Sequence, residues 1–315
     1  MSASPLRVAG VLMGDLRREP GARVKYELLF AALGRAFPLS GIYDVTLRGL
    51  PRLWNAARMF HPNASQWKAR FYKNIPAFQA RSRRAVTLLA RERQNFDLIF
   101  QVGVMFDARW NDFPMPGVIY TDYTASLSAR RPQGGRSPLT PQQQNEWLAL
   151  EKRAYQRAGH VFTRGEFVRQ SIINDYGLLP EKVTAVGGGV NFAELPDLPP
   201  RKAAAPTFLF IGKEFYRKGG DLLLKAFAKT RETHPSARLL MVTDGPIPPD
   251  LPQQGVELIA PTYDRERIAS LYRRADAFVL PSRLETWGDV LLEAMAFGLP
   301  CLGVHGEAMD EIISP

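Results

Sequence analysis

Cysteine is almost absent from this chain: Cys301 is the only one in 315 residues, which excludes an intrachain disulfide, a cysteine-based zinc finger and a CxxC redox pair. Histidine is nearly as scarce, and His61, His160, His234 and His305 are scattered, so no histidine metal site is expected. Long apolar runs are missing too. Nothing approaches the roughly 18 residues of a membrane span, and the short run Leu6 to Met13, broken by Arg7, lacks the apolar core and small-residue cleavage site of a secretory leader. There is no tandem repeat, no GxxxxGK(S/T), no HExxH and no GxGxxG after a strand; Gly187-Gly188-Gly189 follows a strand with the wrong spacing. The expectation from these absences is a cytoplasmic protein in a reducing compartment.

Acid is missing from one segment. Between Val45 and Arg91 there are ten Lys/Arg (Arg48, Arg52, Arg58, Lys68, Arg70, Lys73, Arg81, Arg83, Arg84, Arg91) and no Asp or Glu, while the rest of the chain has 31 basic and 31 acidic residues. The formal charge of +10 therefore lies wholly in this stretch. Its cations are interleaved with Trp54, Phe60, Trp67, Phe71, Tyr72 and Phe78. That mixture suits nucleic acid or a membrane interface, or equally a pair of helices with core aromatics and a solvated basic face. The composition as a whole, 45% hydrophobic and 23% charged, is that of a globular chain.

Short β-branched runs alternate with helical patterns, the signature of parallel βα units and an α/β fold. Strands are expected at Arg7 to Leu12, Leu98 to Val102, Val118 to Tyr120, Val161 to Thr163, Val183 to Val186, Thr207 to Ile211, Arg238 to Val242, Val256 to Ile259, Ala277 to Leu280 and Cys301 to Gly303. The Pro-rich stretch 194–206 reads as a linker. Two doubly wound, Rossmann-like parallel-sheet domains, 1–195 and 196–315, are the expectation, with ligands at the carboxyl ends of the strands and in the cleft between domains. Residues 133–144 read as a polar loop, giving way to a helix from Glu146 to Arg157.

Two constellations carry chemistry. In the first, Gly212 and Gly219 bracket a turn after a strand and bring Lys213, Arg217 and Lys218 near a helix start, a place suited to an anion or to nothing more than a solvated basic loop. The second is PSRLETWGDVLLEAMAFGLP, from Pro281. Glu285 falls in a loop, and a helix starts near Gly288 and stops at Gly298-Leu299-Pro300. Glu293 lies within that helix's first turns among apolar residues, where an unpaired carboxylate would cost several kcal/mol. Its partner is either the hydroxyl pair of a sugar or ribose, or an Arg of this protein.

These segments resemble the retaining GT-B glycosyltransferases of family GT4, the glycosyl transferases group 1. The resemblance rests on Glu285, seven residues and Glu293 within PSRLETWGDVLLEAMAFGLPCLG, on GKEFYRKGGDLLLKAF, and on LEKRAYQRAGHVFTRGEFVRQSIINDYGLLPEKVTAVGGGVNF, in family order from Leu150 to Ile313. It implies transfer of a hexose, with retention, from a nucleotide sugar to a hydroxyl of a glycan or lipid-linked acceptor, with no metal and no further cofactor. Lys213 and Lys218 would hold the diphosphate, Glu285 would face the transferred sugar and Glu293 the ribose. Gly212, Gly288 and the amides of Val290 and Leu291 would border the phosphates, and Gly14 or Gly21, in the loops after the first strand, would let the backbone approach the donor. Where many members have a His in the N-domain, Tyr120-Thr-Asp-Tyr-Thr124 offers Asp122 or a plain Asx turn. Ser-Glu is replaced by Gly165-Glu166, and Gly-Gly by Glu307-Ala308. The family continues past the position of Pro315, so a C-terminally truncated second domain is expected. The acid-free segment 45–91 then reads as a dock for an anionic membrane surface, with peripheral attachment to the inner membrane face and no nucleic acid. Alternatives are a non-catalytic GT-B remnant that binds nucleotide sugar or a partner, a nucleic-acid binder, and a nucleotide-sugar epimerase on the same fold.

Overall fold

The computed structural model describes residues 5–131, 138–196, 198, 205–306 and 308–313. Residues 133–137 of the expected loop, 197 and 199–204 of the expected linker, and Glu307 lie outside the described residues. The chain forms two compact units, 1–187 and 188–315, dividing N-terminal to the Pro-rich stretch.

In the first unit the strands are β1 (Val8–Leu12), β2 (Leu39–Asp44), β3 (Leu98–Val102), β4 (Gly117–Thr121), β5 (His160–Thr163) and β6 (Val183–Ala185). They pair in parallel in the order β2-β1-β3-β4-β5-β6. All of β1 is buried, as a strand covered on both faces requires. The strand the sequence reading lacked is β2, whose Leu-Ser-Gly-Ile-Tyr-Asp run is half-exposed at the sheet edge and carries little apolar signal. The helices are α1 (Pro20–Ala36), α2 (Gly49–Arg58), α3 (Ala64–Tyr72), α4 (Ile75–Arg91), α5 (Ala125–Ala129), α6 (Pro141–Arg157) and α7 (Glu166–Tyr176). Thr140 and Gln143 form a capping box, so α6 starts inside the stretch expected to be loop.

The basic segment holds three helices, not two, because Asn63 and Asn74 each cap a new start by accepting from the backbone amides of Gln66 and Ala77. Nor are its arginines all solvated. Arg81 is buried, donates from Nη1 to the Tyr72 carbonyl at 2.8 Å, and burial pulls its pKa down to about 10.

The second unit has β7 (Thr207–Ile211), β8 (Arg238–Val242), β9 (Val256–Ile259), β10 (Ala277–Leu280) and β11 (Cys301–Gly303), all parallel in the order β11-β10-β7-β8-β9. Its helices are α8 (Gly220–Thr233), α9 (Arg265–Arg274), α10 (Asp289–Ala296) and α11 (Ala308–Ile312). Leu209, Phe210, Leu239, Met241, Phe278 and Leu280 form the strand side of its core. The strand order reverses between β7 and β10, and the crevice at such a reversal, outside the carboxyl ends of the strands, is where doubly wound sheets take ligands. The loops that leave those two ends are 212–219 and 281–288.

Candidate functional site

The loop after β7 is a tight, self-bonded turn. The amides of Lys218, Gly219 and Gly220 donate to the carbonyls of Glu214, Tyr216 and Phe215 at 3.0, 3.1 and 2.9 Å. These amides are therefore engaged, and an anion there would meet side chains. Glu214 has a left-handed φ of 60° and its amide is held by Asp244 Oδ1 at 2.7 Å. Arg217 serves the turn itself: Nε donates to Glu214 Oε2 at 2.7 Å and Nη1 to the Leu284 carbonyl at 2.9 Å. Of the three cations in the loop, Lys213 and Lys218 remain as ligand candidates.

Lys218 donates to Glu285 Oε2 across the β7/β10 reversal. Both side chains are largely buried, 13% and 9% exposed, and Ser282 Oγ donates to the same carboxylate oxygen at 3.3 Å. Gly219 makes this approach possible. Its φ is +74°, and a Cβ there would lie 1.9 Å from the Pro281 carbonyl oxygen. Lys213 donates from Nζ to the Tyr263 hydroxyl at 2.7 Å, with the ammonium 4.1 Å from the ring centre.

Gly288 caps α10 with φ +94°, and this turn brings its carbonyl to the Leu291 amide at 2.8 Å. The Leu291 amide, expected to border a phosphate, is engaged within this turn, and the Leu291 side chain is fully buried. Val290 follows Gly288 by two residues, and its carbonyl accepts from the Tyr272 hydroxyl at 3.2 Å. Glu293 is 3% exposed. Arg265 Nη2 donates to its Oε1 at 2.9 Å and the Tyr272 hydroxyl to its Oε2 at 3.0 Å. Burial raises its pKa above the ordinary carboxylate value, and Arg265 and Tyr272 oppose that rise. Of the two partners open to Glu293 on sequence grounds, the arginine is present here.

In the first unit, Asp122 follows β4 and accepts from Lys25 Nζ at 2.7 Å. The Gly14 amide donates to Asp44 Oδ1 at 3.0 Å, and Arg48 Nη2 bridges Asp44 and Asp15 at 2.8 and 2.9 Å. Gly14 thus borders the ends of β1 and β2. Gly21 does not lie in a loop, as expected: Pro20 starts α1, so Gly21 sits in its first turn.

Sequence reasoning missed Arg265, Tyr272, Tyr263 and Lys25. The first three share α9 and the loop before it, where no motif marks them; the alternation Tyr263-Asp264-Arg265 ahead of a capped helix was the available signal. What the arrangement offers is two lysines in the loop after β7 and a carboxylate in the loop after β10, with a second, buried carboxylate on α10; cations at such a strand end suit an anion.

The architecture is the GT-B fold, two Rossmann-like parallel-sheet units. The chain aligns over 98% of its length with the lipopolysaccharide outer core galactosyltransferase structure (84% of that chain, TM-score 0.61, 14% identity). It aligns over 99% with the catalytic domain of starch synthase IV from Arabidopsis thaliana (85% of that chain, TM-score 0.62, 14% identity). Residues 205–315, nearly the whole second unit, match the family model of the glycosyl transferases group 1. Among curated relatives, D-inositol 3-phosphate glycosyltransferase of Kineococcus radiotolerans is 30% identical over 175 residues, 48% of this chain and 40% of that protein. Glycogen synthase of Mycobacterium tuberculosis is 28% identical over 214 residues, 64% and 50% respectively. The chain spans half or less of the length of these relatives.

Proposed function

We propose that this chain is a retaining hexosyltransferase of the GT4 type, moving a hexose from a nucleotide sugar to a hydroxyl of a glycan or lipid-linked acceptor. The observation that carries the reading is the Lys218–Glu285 pair at the β7/β10 reversal, with the buried carboxylate of Glu293 on the next helix. Lys213 and Lys218 bind the diphosphate and stabilise the charge that grows on it as the glycosidic bond breaks. Glu285 faces the transferred sugar and Glu293 accepts from the ribose hydroxyls. A carboxylate hydrogen-bonded to hydroxyls contributes about 1.5–3 kcal/mol per contact. A thermal-shift panel of UDP-, GDP- and ADP-sugars tests this, since a ligand that binds only the native state raises its melting temperature. One of the three is expected to shift the wild type and not Glu293→Ala. Equal shifts in both proteins would remove the ribose role, and donor binding without transfer would select the non-catalytic remnant.

A second reading, docking of the first unit on an anionic membrane surface, is favoured by a specific observation. On α2, Leu50, Leu53 and Trp54 fall on one face and are 71%, 65% and 75% exposed, with Phe60 just beyond at 64%. An apolar stripe turned outward beside Arg52, Arg58 and Lys68 suits the boundary of headgroups and acyl chains, where both kinds of side chain gain. Among the described residues no helix is long and apolar enough to cross a membrane, so this is attachment from one side.

A further inference from the structure

The nucleotide reading gives Glu293 one task, accepting hydrogen bonds from a ribose, yet the carboxylate is almost wholly buried. Burial favours the protonated form, which would offer a donor where the ribose hydroxyls need acceptors. What opposes this is one side chain from another helix. Arg265, first residue of α9, donates to Glu293 Oε1 at 2.9 Å. Its guanidinium centre lies 4.0 Å from the centre of the Phe192 ring, and its buried Nε has no hydrogen-bond partner among the described residues. Phe192 in turn packs edge-on against Phe297, centroids 5.3 Å apart, and Phe297 stacks on Tyr272 at 5.1 Å. The guanidinium is thus clamped between an aromatic face and the carboxylate. Such a planar fork is matched to carboxylate geometry and is always charged.

Acceptor capacity then decides whether Arg265 competes with a ligand or prepares for it. A carboxylate has about four lone-pair directions on two oxygens. Arg265 uses one on Oε1 and the Tyr272 hydroxyl one on Oε2, which among the described residues leaves one on each oxygen. Two adjacent acceptors, one per oxygen, match two vicinal hydroxyls.

We propose that Arg265 is a positioning residue of the nucleotide site, which fixes Glu293 as an oriented acceptor for the ribose hydroxyls of the donor without being displaced by them. This rests on the ribose role given to Glu293. The groups facing that carboxylate are Arg265 and Tyr272 from α9 and Asp289 from its own helix, with Cys301 of β11 near Tyr272. Only Arg265 among them is a cation. Replacing it with a neutral side chain therefore removes the charge that holds Glu293 ionised, and hydroxyl recognition becomes dependent on pH.

The test uses UDP, GDP and ADP as probes, each with its 2′-deoxy counterpart, and reads the ratio of the two Kd values between about pH 5.5 and 8. A ratio measured on one sample does not depend on the folded fraction, so partial misfolding cannot imitate the effect. In the wild type the ribonucleotide that binds is expected to win by about tenfold or more across the range. In Arg265→Met the preference is expected to vanish at the acid end and return as the pH rises. Arg265→Lys, which keeps the charge, is expected to retain it. A preference in Arg265→Met that matches the wild type at every pH overturns the proposal, as does tighter binding in that variant, which would make Arg265 a competitor of the ligand. If Glu293→Ala keeps the wild-type preference, the ribose reading itself fails, an outcome distinct from loss in Glu293→Ala with no change in Arg265→Met.

Discussion

Gly219 sets how close the two chemical loops can come. Its φ of +74° already disfavours a side chain, and a Cβ would lie 1.9 Å from the carbonyl of Pro281, which is backbone and cannot move alone. Gly245 is the natural control, with φ +77° in the same unit and nothing within 4 Å of a built Cβ. Gly245→Ala should cost about 1 kcal/mol from backbone conformation only. Gly219→Ala adds the collision and should cost about 2–4 kcal/mol. It should also separate Lys218 from Glu285, lowering transfer more than the stability loss explains. Urea midpoints of the two variants, with activity measured where both are fully folded, compare them directly. Equal losses in the two would mean that the loop after β10 yields and that the close approach is not a constraint.

Elements repeat the pattern in which strong local signals are legible and contacts across the fold are not. Of the eleven strands among the described residues, ten could be read from runs of apolar and β-branched residues, and β7, β8, β9, β10 and β11 fall on the expected bounds. The edge strand β2 escaped because Ser40, Gly41 and half-exposed neighbours carry little burial signal. Among the candidate residues, Glu285, Glu293, Lys213 and Lys218 stand out from spacing and resemblance. Arg265 could not, because a helix-starting arginine 28 positions away gives no hint of which carboxylate it meets. Glu151 of α6 shows the same limit. It looks like an ordinary helix-surface acid, yet it is buried, accepts from the Ala125 amide at 2.9 Å and the Tyr176 hydroxyl, and so ties α5 and α7 to α6. Burial pushes its pKa up to about 7.

The native state therefore holds the Glu151 proton more tightly than the unfolded chain, whose glutamates titrate near about 4.3. This contribution to stability is fully present below that value and is lost as the pH rises to about 7, after which the loss is constant. Glu151→Gln keeps an acceptor for the Ala125 amide and has no charge to bury. It should thus gain on the wild type by a few kcal/mol between about pH 4.5 and pH 7.5. Unfolding midpoints of the pair across that range measure it. A difference between the two that does not change with pH would mean that Glu151 is ionised throughout, with a cation compensating it.

For the molecule as a whole, charge is segregated along the chain. The second unit beyond residue 200 has 14 basic and 15 acidic residues, so its proposed phosphate site depends on Lys213 and Lys218 locally, with no general field to help. The excess sits instead on α2, α3 and α4 of the first unit, where the exposed stripe of Leu50, Leu53 and Trp54 accompanies it. A nucleic-acid partner would use the cations and leave the leucines in water, whereas an anionic bilayer uses both, at about 1 kcal/mol per nearby Lys/Arg plus the burial of apolar area. Co-sedimentation with vesicles should accordingly show binding that strengthens with anionic lipid and weakens with salt. Replacing Leu53 and Trp54 together by Ser should weaken it without changing the salt dependence, because no charge is removed. Replacing Arg52 and Arg58 by Gln should flatten the salt dependence as well. Equal binding to neutral and anionic vesicles would leave the charge without this role, and retention of full binding by the Leu53/Trp54 variant would show that the stripe stays outside the bilayer.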